Sequence, residues 1–100
     1  MNRKIQILLV FLSILLVNKI DAQSTRVDSL ENLLNNHKTE DTVRVQLLNQ
    51  IASLVYKNDT NKAKSYTTQA GELSDKINFL KGKAESIWVK GLSLSFYKSD

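Results

Sequence analysis

The chain has 100 residues, of which 42% are hydrophobic, with 14 Lys and Arg against 10 Asp and Glu and with no Cys or Pro. The absence of Cys excludes disulfide frameworks, thiolate metal sites and cysteine nucleophiles. The first 22 residues contain 14 of the 42 hydrophobic residues, and without them the net charge falls from +4 to +2. The remaining basic residues alternate with Asp, Glu and Asn, which argues against nucleic-acid binding through bulk charge.

Residues 1–22 have the three-part pattern of a secretory signal peptide. Two basic residues, Arg3 and Lys4, precede a 13-residue run, from residue 5 to residue 17, that two polar residues interrupt. A polar exit then ends at Ala22, which predicts cleavage before Gln23. Because a membrane-spanning helix needs about 20 apolar residues, an uncleaved anchor is the less favoured alternative. The pattern predicts an exported, periplasmic or otherwise extracytoplasmic protein.

From Gln23 onward the apolar residues follow helical spacing, with no linker-like stretch and no strand-like alternation. Ser24 or Thr25 is predicted to cap a short helix that ends in the turn-forming residues 35–40. Its apolar face is formed by Val27, Leu30, Leu33 and Leu34. Residues 23–40 are therefore predicted to form a capping helix and a loop.

Two longer helices are predicted next, each preceded by an acidic residue. Asp41 or Thr42 caps a helix that runs to about Lys57, and Asp59 caps a helix over residues 60–77. The apolar face of the first of these helices is wide: Val45, Leu47, Leu48, Ile51, Ala52, Leu54 and Val55. A face of this width predicts packing against neighbours on two sides.

The helix over residues 60–77 carries small residues on its apolar face. Ala63 and Ala70 lie seven residues apart, with Gly71 beside Ala70, and small side chains let a partner helix approach closely. Its larger apolar residues are Tyr66, Leu73 and Ile77. After a break over residues 78–82, a last helix is predicted over about 83–98, with an apolar face of Ala84, Ile87, Trp88, Leu92 and Phe96.

The second and fourth predicted helices are related by an offset of 41 residues. Residues 55–59 (VYKND) align with residues 96–100 (FYKSD), and the core positions upstream also match in size. These upstream pairs are Leu48 with Val89, Ile51 with Leu92, and Ala52 with Ser93. A single hairpin cannot bury a broad apolar face alone, so helical hairpins repeated at such a period are typical of solenoids.

The segment over residues 48–70 resembles a tetratricopeptide repeat. The shared pattern is Leu48-x-x-Ile51-Ala52-x-x-Val55-Tyr56, then Asp59, then Ala63-x-x-Tyr66-x-x-x-Ala70. The period of 41 exceeds the usual period of about 34, and no Pro ends the second helix. The longer period, the Ala22-Gln23 exit and the Val27-Asp28-Ser29-Leu30 segment are similar to exported N-terminal arrays of bacterial sensor kinases and transcriptional regulators.

The resemblance implies an all-α fold, an α-α hairpin solenoid with a tetratricopeptide-like superhelix, preceded by the signal peptide helix. Residues 41–81 then form the first repeat, and residues 82–100 form the first helix of a second, truncated repeat. It also implies a groove that binds extended peptides, lined by positions between the core residues of each first helix. Those positions are Gln46, Asn49, Ser53, Tyr56, Lys90 and Tyr97. Their amide and ammonium groups suit a peptide backbone or carboxylate.

Other polar and aromatic residues have ordinary structural interpretations. His37, the single His, is expected at the surface, and the adjacent acids Glu40 and Asp41 are better explained by helix capping than by acid–base catalysis. Trp88 is predicted to pack between repeats. No phosphate-binding loop, nucleophile elbow or kinase-type histidine motif occurs in the sequence, so we expect no catalytic site, metal or cofactor in these residues.

Two hypotheses of different classes follow. The first is a non-enzymatic, exported module that binds a protein or peptide and serves as the sensory or scaffolding end of a longer signalling protein, a histidine kinase or transcriptional regulator. Under it, contact with a membrane comes only through the signal segment or a downstream span. The second is a small, self-contained secreted or periplasmic helical protein with a structural role. An enzyme with its active site beyond Asp100 is a third possibility.

Overall fold

The computed structural model describes the backbone of residues 2–98 and the side chains of residues 3–7 and 24–95. All the regular secondary structure within these residues is α-helical, which confirms the predicted all-α class. The helices are α1 (Asn2–Asn36), α2 (Thr42–Val55), α3 (Thr60–Ile77) and α4 (Leu80–Lys98). Helix α3 packs against both α2 and α4, while α1 packs against α2.

The starts of α2 and α3 are fixed by the two predicted capping residues. The carboxylate of Asp41 accepts a hydrogen bond from the backbone N–H of Arg44, and that of Asp59 accepts one from Lys62. Each bond satisfies one of the N–H groups that a helix start leaves without an intrahelical acceptor. Both predicted helix starts are confirmed.

The core lies around α2, as its wide apolar face predicts. Val45, Leu48, Ile51 and Ala52 are almost completely inaccessible. From α1, Leu34 joins this cluster, and from α3 and α4 come Ala63, Ala70, Leu73 and Val89. Helix α2 is therefore surrounded by its neighbours, because its large aliphatic side chains project over a wide arc.

Small residues set the close contacts of α3 and α4, as predicted for α3. A Cβ atom at Gly71 would lie 3.2 Å from the hydroxyl oxygen of Ser86 on α4. At Gly82 a Cβ atom would lie 2.5 Å from a methyl carbon of Val45 and 2.8 Å from the hydroxyl oxygen of Ser74. Helix α4 can lie this close to α2 and α3 because glycine leaves room at both crossings.

Helix α4 begins three residues earlier than predicted and packs through a different face. Asn78 adopts a left-handed conformation (φ 58°) that ends α3, so the chain reverses direction within two residues. The buried residues of α4 are Gly82, Ser86, Val89 and Ser93, whereas Ile87 and Trp88 are 60% and 67% exposed. The predicted packing of Trp88 between repeats is therefore not seen in the described residues, and exposed Ala84 and half-buried Leu92 lie off the packed face. Phe96 lies outside the described side chains.

Helix α1 is continuous from Asn2 to Asn36, so the helix does not start at Ser24 or Thr25. The predicted face of its C-terminal part packs on the core through Leu34, with Val27 and Leu30 partly buried, while Leu33 is exposed. Among the described residues, no helix combines the length and hydropathy needed to cross a membrane. The signal segment over residues 1–22 stays a prediction.

Candidate interaction surfaces

Two of the predicted groove residues on α2 are open to solvent. Gln46 and Ser53 are exposed, and the Ser53 hydroxyl donates a 2.7 Å hydrogen bond to the backbone oxygen of Gln50. Tyr56 is half-buried at the end of α2, with the Lys57 ammonium 5.9 Å from the centre of its ring. With seven residues between them, Gln46 and Ser53 share one side of the helix. This side provides amide and hydroxyl groups for hydrogen bonding.

Asn49, also predicted to line the groove, lies in the interior instead. It is only 3% exposed, and its side-chain nitrogen donates a 3.1 Å hydrogen bond to the backbone oxygen of Gly82. The first turn of α4 lies against α2 at this point, which is why a polar residue faces inward here. Asn49 therefore ties α2 to α4 and is not available to a ligand.

The remaining predicted groove residues lie on α4. Lys90 is half-buried and lines a cleft of about 220 Å³ between α3 and α4, together with Thr67, Gly71 and Ser86. The cleft faces α3, so the structure does not show Lys90 together with the exposed residues of α2. Tyr97 lies outside the described side chains.

A second cleft, of about 310 Å³, lies between the start of α2 and the C-terminal half of α3. Several charged side chains that line it form hydrogen bonds within the chain. Lys76 donates a hydrogen bond to Glu40, and this bond, together with the charge of Lys76, holds the pKa of Glu40 below its ordinary value. The Arg44 guanidinium donates to the backbone oxygens of His37 and Leu34, at 2.8 and 3.3 Å. These contacts hold the end of α1 against α2.

His37 and Asp41 form a local pair at the same corner. The Nε2 atom of His37 lies 2.8 Å from Oδ1 of Asp41, which also accepts the capping bond from the Arg44 backbone. The hydrogen bond from His37, followed by that from Arg44, holds the pKa of Asp41 below its ordinary value. The acidic residue at this position is thus a helix cap, as predicted.

Among the side chains that the structure describes, no group of three or more His, Asp or Glu could hold a metal ion.

The outer face of α4 is the surface that the sequence interpretation missed. Its large apolar residues, Leu80, Ile87, Trp88 and Leu94, are all exposed. A sequence pattern does identify the face that packs. Gly82, Ser86, Val89 and Ser93 follow one another at spacings of four, three and four residues, which places small side chains along one side of the helix. Helix α4 uses this side for the chain's own core and leaves its larger residues outside.

Comparison with known proteins adds no relative: no known family, curated protein or solved structure matches this chain.

Proposed function

We propose that this protein is an exported, non-enzymatic interaction module, built of tetratricopeptide-like helical hairpins that bind a protein or peptide. The observation that carries the proposal is that Leu48 and Ala52 of α2 and the residues 41 positions later, Val89 and Ser93 of α4, are all buried. Leu48 and Val89 are 1% and 5% exposed, and Ala52 and Ser93 are both fully buried. Equivalent burial at equivalent positions is what a repeating hairpin produces.

The contacts of α3 support the same proposal. Ala63 and Ala70, seven residues apart, are both fully buried, and Gly71 lies against Ser86 of α4. Helix α3 thus lies between α2 and α4, so each helix after α1 packs on the one before it. An arrangement of this kind extends by adding hairpins, and its exposed helix faces serve as binding surfaces.

The wider role rests on the amino-terminal sequence pattern. The signal-like segment supports export, and the resemblance to exported arrays supports placing the module at the sensory or scaffolding end of a longer bacterial signalling protein. Export is tested by expressing the chain in a bacterium and determining the first residue of the product in the periplasm. We expect Gln23 at the amino terminus; a product that retains Met1 and stays with the membrane would overturn cleavage.

Peptide binding is tested on the exposed side of α2. A phage-displayed library of extended peptides is selected on the immobilised full chain, and enriched peptides are titrated against the double variant Gln46→Arg/Ser53→Arg. Both positions are exposed, so the variant should keep the far-ultraviolet circular dichroism spectrum of the wild type. We expect at least a tenfold loss of affinity. Failure to enrich any peptide, or equal binding to the variant, would contradict a groove on α2 and favour the self-contained structural protein.

A further inference from the structure

The outer face of α4 carries a regular apolar stripe. It consists of Leu80, Ala84, Ile87, Gly91 and Leu94, which follow one another at spacings of four, three, four and three residues. We call this set the outer stripe. Alternation of four and three is the spacing by which one helix packs along another in a coiled coil. All five positions are exposed, and Trp88 adjoins them.

The outer stripe lies opposite the face that α4 uses within the chain. The buried residues Gly82, Ser86, Val89 and Ser93 lie on the other side of the helix. Helix α4 therefore packs within the chain through its small residues, and the apolar side chains of the outer stripe are left uncovered.

Two small residues indicate that the neighbour is a helix rather than a lipid surface. A Cβ atom at Gly91 would have nothing within 4 Å, so no contact inside the chain requires glycine there, although glycine destabilises a helix interior. Ala84 and Gly91 lie seven residues apart, as do Ala63 and Ala70 of α3, which are fully buried where neighbouring helices cross. Small residues at this spacing allow a second helix to approach closely, whereas a membrane surface gains nothing from them.

The charged residues beside the outer stripe determine which kind of partner helix can bind to it. Lys81 flanks it on one side, and Lys83 and Lys90 flank it on the other, while Glu85 lies farther round the helix. Lys83 already binds Asp75 at 2.7 Å. Lys81 is exposed, and half-buried Lys90 lies where the outer stripe, at Ile87, borders the cleft between α3 and α4. A second copy of α4 would bring lysines against lysines, and like charges at flanking positions disfavour pairing. A helix with acidic flanks complements them.

We propose that the outer stripe binds an amphipathic helix of a partner protein, one whose apolar seam is flanked by Asp and Glu. This rests on the proposed function, since it names the chemistry of one partner of the interaction module, but it concerns a face separate from the exposed side of α2. Ile87 and Leu80 then pack into the seam of the partner, Gly91 and Ala84 allow the close approach, and Lys81 and Lys90 pair with the acidic flanks.

The test uses the fluorescence of Trp88, the single Trp of the chain, because this side chain borders the outer stripe. The full chain is titrated with two synthetic helical peptides that share one seam of Leu and Ala and carry either Glu or Lys at the flanking positions. The Glu peptide should give a saturable blue shift of Trp88 emission, with an affinity at least tenfold higher than that of the Lys peptide. This preference should shrink as salt is added.

Two variants locate the binding. Gly91→Leu fills space that nothing in the chain occupies, so it should keep the helix content and weaken Glu-peptide binding at least tenfold by blocking close approach. Val43→Asp, at an exposed apolar position on α2, is the matched control and should bind as the wild type does. The Gln46→Arg/Ser53→Arg variant should also keep Glu-peptide binding, so failure of the α2 groove and failure of the outer stripe are separate results.

Any of these results would overturn the proposal: no saturable shift, equal binding of the two peptides, unchanged binding by Gly91→Leu, or emission that depends on protein concentration without peptide. The last would show that a second copy occupies the outer stripe. Binding to anionic phosphatidylglycerol vesicles that Gly91→Leu strengthens would show instead that a membrane surface does.

Discussion

Helices α2 and α4, which a 41-residue offset relates in sequence, use their large apolar residues in opposite ways. Helix α2 turns Val45, Leu48 and Ile51 into the core and is covered by its neighbours. Helix α4 contributes mostly small residues to the core and leaves Ile87 and Trp88 exposed. The comparison shows that the 41-residue offset preserves burial at only part of the positions: Leu48 and Ala52 match buried Val89 and Ser93, whereas buried Leu47 matches exposed Trp88.

The largest difference is expected from matched isoleucine truncations. Ile51→Ala removes a fully buried side chain and should lower the free energy of unfolding by about 2–4 kcal/mol, through lost burial and the cavity left behind. Ile87→Ala removes an exposed side chain and should change it by less than about 0.5 kcal/mol. Urea denaturation of the two variants measures both values. Equal losses would show that α4 packs through its outer face.

Substitution of the two glycines of α4 by alanine is expected to change the stability of the fold by smaller amounts. The two changes should have opposite signs. Gly82→Ala places a Cβ atom 2.5 Å from Val45 and 2.6 Å from Phe79, so it should destabilise the fold by about 1–3 kcal/mol through overpacking. Gly91→Ala meets no neighbour within 4 Å and should stabilise it by up to about 1 kcal/mol, because alanine favours the helix. Thermal melts followed by circular dichroism give the two shifts; a destabilising Gly91→Ala would contradict the open outer face.

The helix starts should differ in their response to acid. The pKa of Asp41 is depressed in the folded chain, so the stabilisation it gives is present above its unfolded pKa and is lost as the pH falls below about 4. The first turn of α4 has no acidic residue. As the pH is lowered, the protection factors of the amides at the start of α2, relative to intrinsic exchange at the same pH, should therefore fall before those of α4. Asp41→Asn keeps a capping oxygen and should reduce this pH dependence; an unchanged dependence would point to another group.

The features that the sequence predicts correctly depend on local chemistry. Asp41 and Asp59 cap the helices that follow them, because a side-chain oxygen three residues before a free N–H is a local arrangement. The wide face of α2 also follows from residue spacing alone, since large aliphatic residues on neighbouring stripes require cover on more than one side.

The features that the sequence does not predict depend on how the helices meet. Hydrophobicity selects Ile87 and Trp88 as the packed face of α4, but the face that packs is decided by how closely α4 can approach α2 and α3, and this needs small residues such as Gly82. The same contact buries Asn49, which the resemblance to a tetratricopeptide repeat assigns to a peptide-binding groove. The sequence pattern of one helix does not show which neighbouring helix packs against which of its faces.

The central claim is that α4 packs through its small-residue face and keeps its large apolar face open. Acrylamide quenching of the full chain measures this directly, because Trp88 is the single fluorophore of its kind. We expect emission close to that of tryptophan in water and quenching nearly as efficient as that of N-acetyltryptophanamide. Blue-shifted emission with weak quenching, unchanged on dilution, would contradict the account, since it would place Trp88 inside the fold and remove the outer stripe as a binding surface.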